Sequence, residues 1–343
     1  MHQLRPVCLA ALLCLALPAW GEAPAPSSGD SALQALQWRL AGPFRGGRVD
    51  AVAGIPGDHN TFYMGAADGG IWKTTDAGHH WNNISDCCLD AGPVGAIAVA
   101  PSDAKVIYAG TGEPFPRGDV LTGDGLWRSS DAGKTWVNVG LRETRIISNI
   151  IVDPKDPQHL YVGALGHLFG PNPERGVYES KDGGKSWQRI LFVDAETGTA
   201  DLVMDPADPK TLYAALWQVS RRPWNFSSGG PGSGIWKTTD GGAHWTDLSH
   251  NPGLPTGILG RIGIALPQTA KDRVYAVVEA GEGGLYRSDD AGAHWQRLYK
   301  KADLNMRAWY FSRIYADTQD ADHLWGTEAP GFMESKDGGK TFK

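Results

Sequence analysis

The sequence holds two sets of carboxylates, and spacing separates them. Asp76, Asp131, Asp182, Asp240, Asp290 and Asp337 recur 47 to 58 residues apart. Each lies in one pattern, [ST]-x-D-x-G-x-x-[WF], as in TTDAGHHW (Thr74–Trp81) and SSDAGKTW (Ser129–Trp136). Asp68, Glu113, Asp119, Asp124, Glu279 and Glu328 fall outside that pattern. Hydrolysis of a glycosidic bond generally takes two carboxyl groups, one acid and one base or nucleophile. The second set is therefore the pool for such chemistry. Asp68, Glu113 and Glu328 are its leading catalytic candidates. Arg45, Arg48, Arg117, Arg221, Arg222 and Arg307 offer planar cations suited to a carboxylate ligand. Phe115, Phe169, Trp224, Phe226, Trp309 and Tyr310 offer ring faces that can stack on sugars or pin a long loop. Arg45, Arg48, Arg117, Trp224, Phe226 and Trp309 are the candidate substrate-binding set. His79, His80, His244 and His294 all lie within the repeats and lack ligand spacing, so no metal site is expected. A nucleophile elbow, a phosphate loop and a dinucleotide fingerprint are all missing, and no cofactor is implied.

The elements that carry these residues follow from the repeat. Six matches at near-even spacing indicate radial repetition, the sequence signature of a β-propeller. Each unit reads as four short strands, A to D. In the second unit these are Ala96–Ala100, Val106–Gly110, Leu126–Ser129 and Thr135–Val139. The predicted fold is an all-β propeller of four-stranded blades, with six blades encoded. Its ring is either closed by an N-terminal strand (Gln37–Leu40) or cut from a seven-bladed or tandem propeller. The repeat aspartates are read as structural. The carboxylate accepts backbone N–H groups in the C–D hairpin, Gly supplies a positive φ, and Trp packs between sheets.

Up-and-down blades sort the loops by face. A–B and C–D turns share one face and are short. B–C and D–A loops share the other. They include Glu113–Asp124, His167–Arg175, Val219–Ser233, Ser85–Pro93, Ser249–Gly260 and Tyr299–Tyr310. Long varied loops over a rigid scaffold are where binding residues collect, so this loop face is the expected functional surface.

Composition sets the remaining bounds. The 343 residues carry a net charge of −6, which gives no basic footprint for nucleic acid. High Gly (45) with high Trp (14) suits tight turns and large packing groups. Residues 1–22 read as a signal peptide, with an apolar run over Val7–Leu17 too short to span a bilayer. Residues 23–36 read as a linker and 37–343 as the propeller. An exported chain, periplasmic or extracellular and without a membrane span, is expected. Cys87 and Cys88 are adjacent and cannot staple distant parts of the fold.

The repeats resemble the bacterial neuraminidase (BNR) or Asp-box repeat of sialidases, sortilin-type domains and family-74 xyloglucanases. WRLAGPFRGGRV (Trp38–Val49), ADGGIWKTTDAG (Ala67–Gly78) and VGAIAVAPSDAKVIYAGTGE (Val94–Glu113) are similar to secreted bacterial proteins of this kind. The sialidase Phe/Tyr-Arg-Ile-Pro signature is absent, since Gly46-Gly47 follow Phe44-Arg45. The xyloglucanase resemblance implies a catalytic Asp after strand B of the first blade, in a D-x-G-G context. Asp68-Gly69-Gly70 stands there with the double Gly directly after the Asp. Those enzymes are built from two propellers and draw the second carboxylate from the other one. The resemblance therefore implies a secreted carbohydrate-directed propeller, a glycoside hydrolase or a fragment of one. The alternative is a non-catalytic, sortilin-like propeller that binds glycan, peptide or protein.

Overall fold

The computed structural model describes residues 47–300, Leu304, 307–327 and 331–343. The signal peptide, the linker, Gln37–Leu40, Arg45 and Glu328 lie outside the described residues. The chain forms six antiparallel sheets, each built by strands that follow one another in sequence.

The first sheet is β1 (Val49–Ile55), β2 (Asp58–Ala66), β3 (Ile71–Thr74) and β4 (Asn82–Asn83). The second is β5 (Val94–Ala100), β6 (Asp103–Thr111), β7 (Leu126–Ser129) and β8 (Val137–Asn138). The third is β9 (Ile147–Val152), β10 (Leu160–Ala164), β11 (Gly176–Ser180) and β12 (Gln188–Leu191). The fourth is β13 (Thr197–Met204), β14 (Leu212–Arg222), β16 (Gly234–Thr238) and β17 (Thr246–Asp247), with β15 (Asn225–Ser228) paired to the far end of β14. The fifth is β18 (Ile262–Ala265), β19 (Val274–Val278), β20 (Gly284–Ser288) and β21 (Gln296–Tyr299). The sixth is β22 (Arg313–Ala316), β23 (Leu324–Thr327) and β24 (Phe332–Ser335). Lys343 exchanges both backbone hydrogen bonds with Glu334, which starts a fourth strand. One short helix, α1 (Ala308–Phe311), precedes β22.

First strands of successive sheets lie side by side from β1 through β5, β9, β13 and β18 to β22. This is the inner ring of a six-bladed propeller. Strand D proves shorter than its apolar pattern suggests, only two residues in three of the sheets. The segment Val219–Ser233, read as a B–C loop from its place in the repeat, contains a hairpin instead. The strand β14 runs on past its sheet, and Pro223-Trp224 make the turn.

The repeat turn shows why its residues recur. In the second sheet the Ser129 hydroxyl donates to Asp131 Oδ1 at 2.8 Å and accepts the Gly133 N–H at 2.9 Å. Asp131 Oδ1 also accepts the Thr135 N–H at 2.9 Å, and Oδ2 takes the Thr135 hydroxyl at 2.7 Å. Gly133 sits at φ +89°, and a Cβ there would lie 2.5 Å from Ile84 of the first sheet. Three repeats replace the final hydroxyl with histidine: His80, His244 and His294 each place Nδ1 within 2.7 Å of their Asp. The Thr135 N–H holds Asp131 at about 2, below the ordinary carboxylate range.

Neighbouring sheets interlock by a few repeated bonds. Trp136 Nε1 donates to the Ile84 carbonyl of the preceding sheet, and Trp187 Nε1 to the Val139 carbonyl. In the other direction, tyrosines of the second strands reach the following sheet. Tyr108 donates to Pro157 O and Tyr275 to Ala321 O.

Ser129→Ala removes both halves of the turn contact and leaves the Gly133 N–H without a partner. We expect a loss of about 1–3 kcal/mol in urea unfolding. Unchanged stability would show that the turn does not depend on this hydroxyl.

Candidate functional site

The loop face carries three clusters, each fixed by the sheets beneath it. The first is the turn between β2 and β3. Asp68 is exposed there, and its carboxylate makes no hydrogen bond or ion pair among the described residues. The turn itself is rigidly held. Gly69 and Gly70 both donate to the Gly92 carbonyl, at 3.2 and 2.8 Å. Ile71 N donates to the Ser85 hydroxyl at 2.8 Å. Close approach and a φ of +69° require glycine at position 70 of this cluster. A Cβ on Gly92 would lie 2.5 Å from Asp68 Oδ1, and one on Gly70 would lie 2.1 Å from Ser85 Oγ. The loop that supplies Ser85 and Gly92 also contains Cys87 and Cys88, joined to each other in a disulfide.

The second cluster is charged and lies at the inner ends of the first and second sheets. Glu113 is fully buried and forms an ion pair with Arg48. Arg117 Nε lies 3.5 Å from the same oxygen, and Arg117 Nη2 pairs with Asp119 at 3.0 Å. Arg48 also donates to the Tyr310 hydroxyl at 3.4 Å. Two of the six candidate anion-binding arginines, Arg48 and Arg117, thus already face carboxylates of this chain. Asp124 and Glu279, from the wider pool, are tied down as well. Asp124 accepts from Trp127 Nε1 at 2.9 Å, and Glu279 accepts from the Ser228 hydroxyl at 2.7 Å.

Asp50 is the member of this cluster that the sequence reading missed. It lies on β1 two residues after Arg48, and alternate strand positions share a face. That spacing was the available signal, but a lone Asp inside an apolar strand carries no motif. Its Oδ1 is 4.0 Å from Arg48 Nη1, and its buried Oδ2 has no hydrogen-bond partner among the described residues. Burial pushes the carboxyl up to about 6; Arg48 opposes the shift and Glu113 adds to it. Arg48, Asp50, Phe115, Asn149, Tyr310 and Arg313 are among the residues lining a cavity of about 640 Å³ at the centre of the ring. Asp68 is not among its lining residues.

The third cluster is aromatic. Trp224 is the tip of the β14–β15 hairpin and is 80% exposed. Phe226 packs between Trp217 and Trp309, with ring centroids at 6.2 and 5.7 Å. Arg221 anchors the hairpin across the face by its N–H to Leu168 O (2.7 Å) and its guanidinium to Gly118 O (3.4 Å). Arg261, also missed by the sequence reading, is the buried pin beneath. It donates to Pro114 O at 2.8 Å and Trp309 O at 2.9 Å, between the rings of Phe115 and Trp217. The structure therefore joins Phe226 to Trp309 and Arg48 to Glu113, while Asp68 stands apart from both groups. Among the described residues there is no group of three or more His, Cys, Asp or Glu arranged to hold a metal, and no helix is long and apolar enough to cross a membrane.

The chain is similar in sequence and fold to known propeller proteins. The family profile Sortilin-Vps10 (sortilin, neurotensin receptor 3) matches residues 124–252. A xyloglucanase of Acetivibrio thermocellus is 30% identical over 327 residues, 86% of this chain and 32% of the enzyme. A Paenibacillus xyloglucanase is 24% identical over 87% of this chain and 31% of its own length. A solved GH74 enzyme of Niastella koreensis aligns with a TM-score of 0.62 at 20% identity, covering 84% of this chain and 45% of that one. The chain spans about a third of the length of the curated relatives it matches.

The Asp50 shift gives a pH signature. An acid with a raised folded-state value binds its proton more readily in the folded chain. The stability it contributes is full below its unfolded value near pH ~4 and is lost as pH rises through about 6. The change is of order 3 kcal/mol. Urea unfolding across this range should decline in the wild type and stay flatter in Asp50→Asn. Identical slopes would place the titration elsewhere.

Proposed function

We propose that this chain is the propeller of an exported, carbohydrate-directed glycoside hydrolase, or a part of such an enzyme. The reading is carried by the 30% identity to a xyloglucanase over 86% of the chain. The site geometry is compatible with it. Asp68 is an exposed carboxylate without a partner among the described residues, on a turn held by Gly92 and Ser85, at the position implied by the xyloglucanase resemblance. Gly69 and Gly70 have no side chains to obstruct a sugar. Trp224 presents a ring to solvent, and Phe226 with Trp309 forms a second apolar surface on the same face. These are the groups that stacking on a polysaccharide would use.

In this reading Asp68 is the catalytic carboxylate contributed by this propeller. Glu113 and Glu328 remain the candidate partner acids. Glu113 sits enclosed between Arg48 and Arg117, which suits a charge-fixing role better than proton transfer. The spacing of the partner defines the outcome. About 5–5.5 Å between carboxyl groups would give retention, and about 6.5–9.5 Å would give inversion.

The second reading is a non-catalytic propeller that binds glycan, peptide or protein. The match of residues 124–252 to the sortilin profile favours it. That segment also contains the hairpin with Trp224 and Phe226.

Asp68→Asn keeps the size of the side chain and removes its charge. Reducing-sugar release from xyloglucan and β-glucan should fall at least about a hundredfold, the usual scale of an acid–base contribution, while circular dichroism stays unchanged. Equal turnover in both proteins would remove Asp68 from the mechanism. Binding without turnover in either would support the second reading.

A further inference from the structure

The loop that buttresses Asp68 carries a group that the proposed chemistry leaves unused. Residues 85–93 form a strap that leaves the first sheet after β4 and enters the second at β5. Its near end is fixed. Ser85 is buried, and its hydroxyl accepts the Ile71 N–H at 2.8 Å. The Ser85 carbonyl accepts the Cys88 and Leu89 N–H groups at 2.9 and 3.0 Å. The far end holds the loops of both leading carboxylates. The Gly92 carbonyl accepts from Gly69 and Gly70, beside Asp68, and the Pro93 carbonyl accepts from Gly112, beside Glu113, at 3.0 Å. Gly92 also lies directly against the Asp68 carboxylate, since a Cβ there would stand 2.5 Å from Oδ1. A shift at this end therefore changes the place of Asp68 relative to Glu113.

The Cys87–Cys88 disulfide sits between these two ends. Joined neighbours close a small ring through one peptide bond, and the ring removes backbone freedom that two separate cysteines would keep. The two sulfurs stand in different surroundings. Cys88 is half-buried and packs, with Ile84 and Leu89, against the cluster that contains Ile71 and Val94. Cys87 is exposed. A thiolate arriving from solvent thus meets Cys87, and Cys88 is the sulfur that leaves.

We propose that Cys87–Cys88 is a redox site for dithiol reductants, and that its opening loosens the strap and releases the Asp68 turn. The reductant attacks Cys87 Sγ as a thiolate. A mixed disulfide forms, the Cys87–Cys88 bond breaks, and Cys88 leaves as a thiolate that takes up a proton. The second thiol of the reductant then attacks the reductant's own sulfur in the mixed disulfide. The reductant closes its disulfide, and Cys87 is released as a thiol. Two electrons pass from the dithiol to the chain, and its two protons end on Cys87 and Cys88. In the oxidised chain the strap holds the Gly69 and Gly70 amides on the Gly92 carbonyl; in the reduced chain these amides open locally. The consequence for turnover rests on the reading of Asp68 as a catalytic carboxylate, whereas the consequence for the turn does not.

Dithiothreitol added to the folded chain tests this. Peptide mapping should find Cys87 and Cys88 closed to alkylation before treatment and alkylated after it, without denaturant. Hydrogen exchange at Gly69 and Gly70 should speed up about tenfold, the scale of one lost hydrogen bond, while the repeat turns around Asp131 and Asp240 stay unchanged. Re-oxidation should restore slow exchange. The double variant Cys87→Ser, Cys88→Ser should exchange fast from the outset and ignore dithiothreitol. Reducing-sugar release from xyloglucan should lose kcat on reduction with KM unchanged, the mark of an effect made in the transition state. A redox-dependent turn without turnover in either state would support the redox site and count against the hydrolase reading alone. Should the double variant fail to fold, the wild-type chain with and without dithiothreitol decides. Equal exchange at Gly69 and Gly70 in the oxidised and reduced chains would overturn the proposal. So would a pair that resists dithiothreitol in the folded chain, or exchange that rises equally in the repeat turns.

Discussion

Each sheet in this chain is stabilised chiefly by the sheet beside it. The faces meet through aliphatic residues next to the repeat turn, such as Ile107 against the first sheet and Leu126 against the third. Complete burial of each such side chain contributes about 1.5–3 kcal/mol, and every built interface contains several. The repeat turn exists to keep these faces in register. Its Ser or Thr hydroxyl holds both the Asp carboxylate and a Gly N–H, so strand C ends at the same place in every sheet. In the second and third sheets the tryptophan that follows reaches back to a carbonyl of the preceding sheet, and second-strand tyrosines such as Tyr108 and Tyr275 reach forward to the next.

Function is layered on that constraint. Because the A–B and C–D turns all fall on one face, the other face is free to carry insertions without disturbing the interfaces. The hairpin β14–β15, helix α1 and the loop around Glu113 meet over the centre of the ring. Arg261 pins them from below through two carbonyls, and Arg48 pins them through Glu113 and Tyr310. Polar groups that looked like ligand-binding arginines in the sequence are in large part the fasteners of this roof. Asp68 lies outside it, on a turn buttressed by its own glycines, which leaves its carboxylate accessible to a ligand.

Much of this was legible in the residues. Six copies of one motif fixed the blade count of the chain, the strand order and the sorting of loops by face. The turn role of Asp76, Asp131, Asp182, Asp240, Asp290 and Asp337 followed from their Ser/Thr and Gly neighbours. Side-chain partners across the ring were not legible. The pairing of Arg48 with Glu113 joins residues 65 apart, and no local pattern announces it. Asp50 was hidden because its altered acidity comes from burial by sheets distant in sequence. The hairpin after β14 was obscured because the repeat places a B–C loop there, although the backbone on either side of Pro223 pairs.

The loop face is the surface proposed to meet carbohydrate. Hydrogen exchange of the folded chain, with and without a xyloglucan oligosaccharide, tests this directly. Protection is predicted at residues 67–70, 219–228 and 307–310, with the repeat turns on the opposite face unchanged. Protection confined to the repeat turns around His80, Lys134 or His244, with none at the loop face, would contradict it.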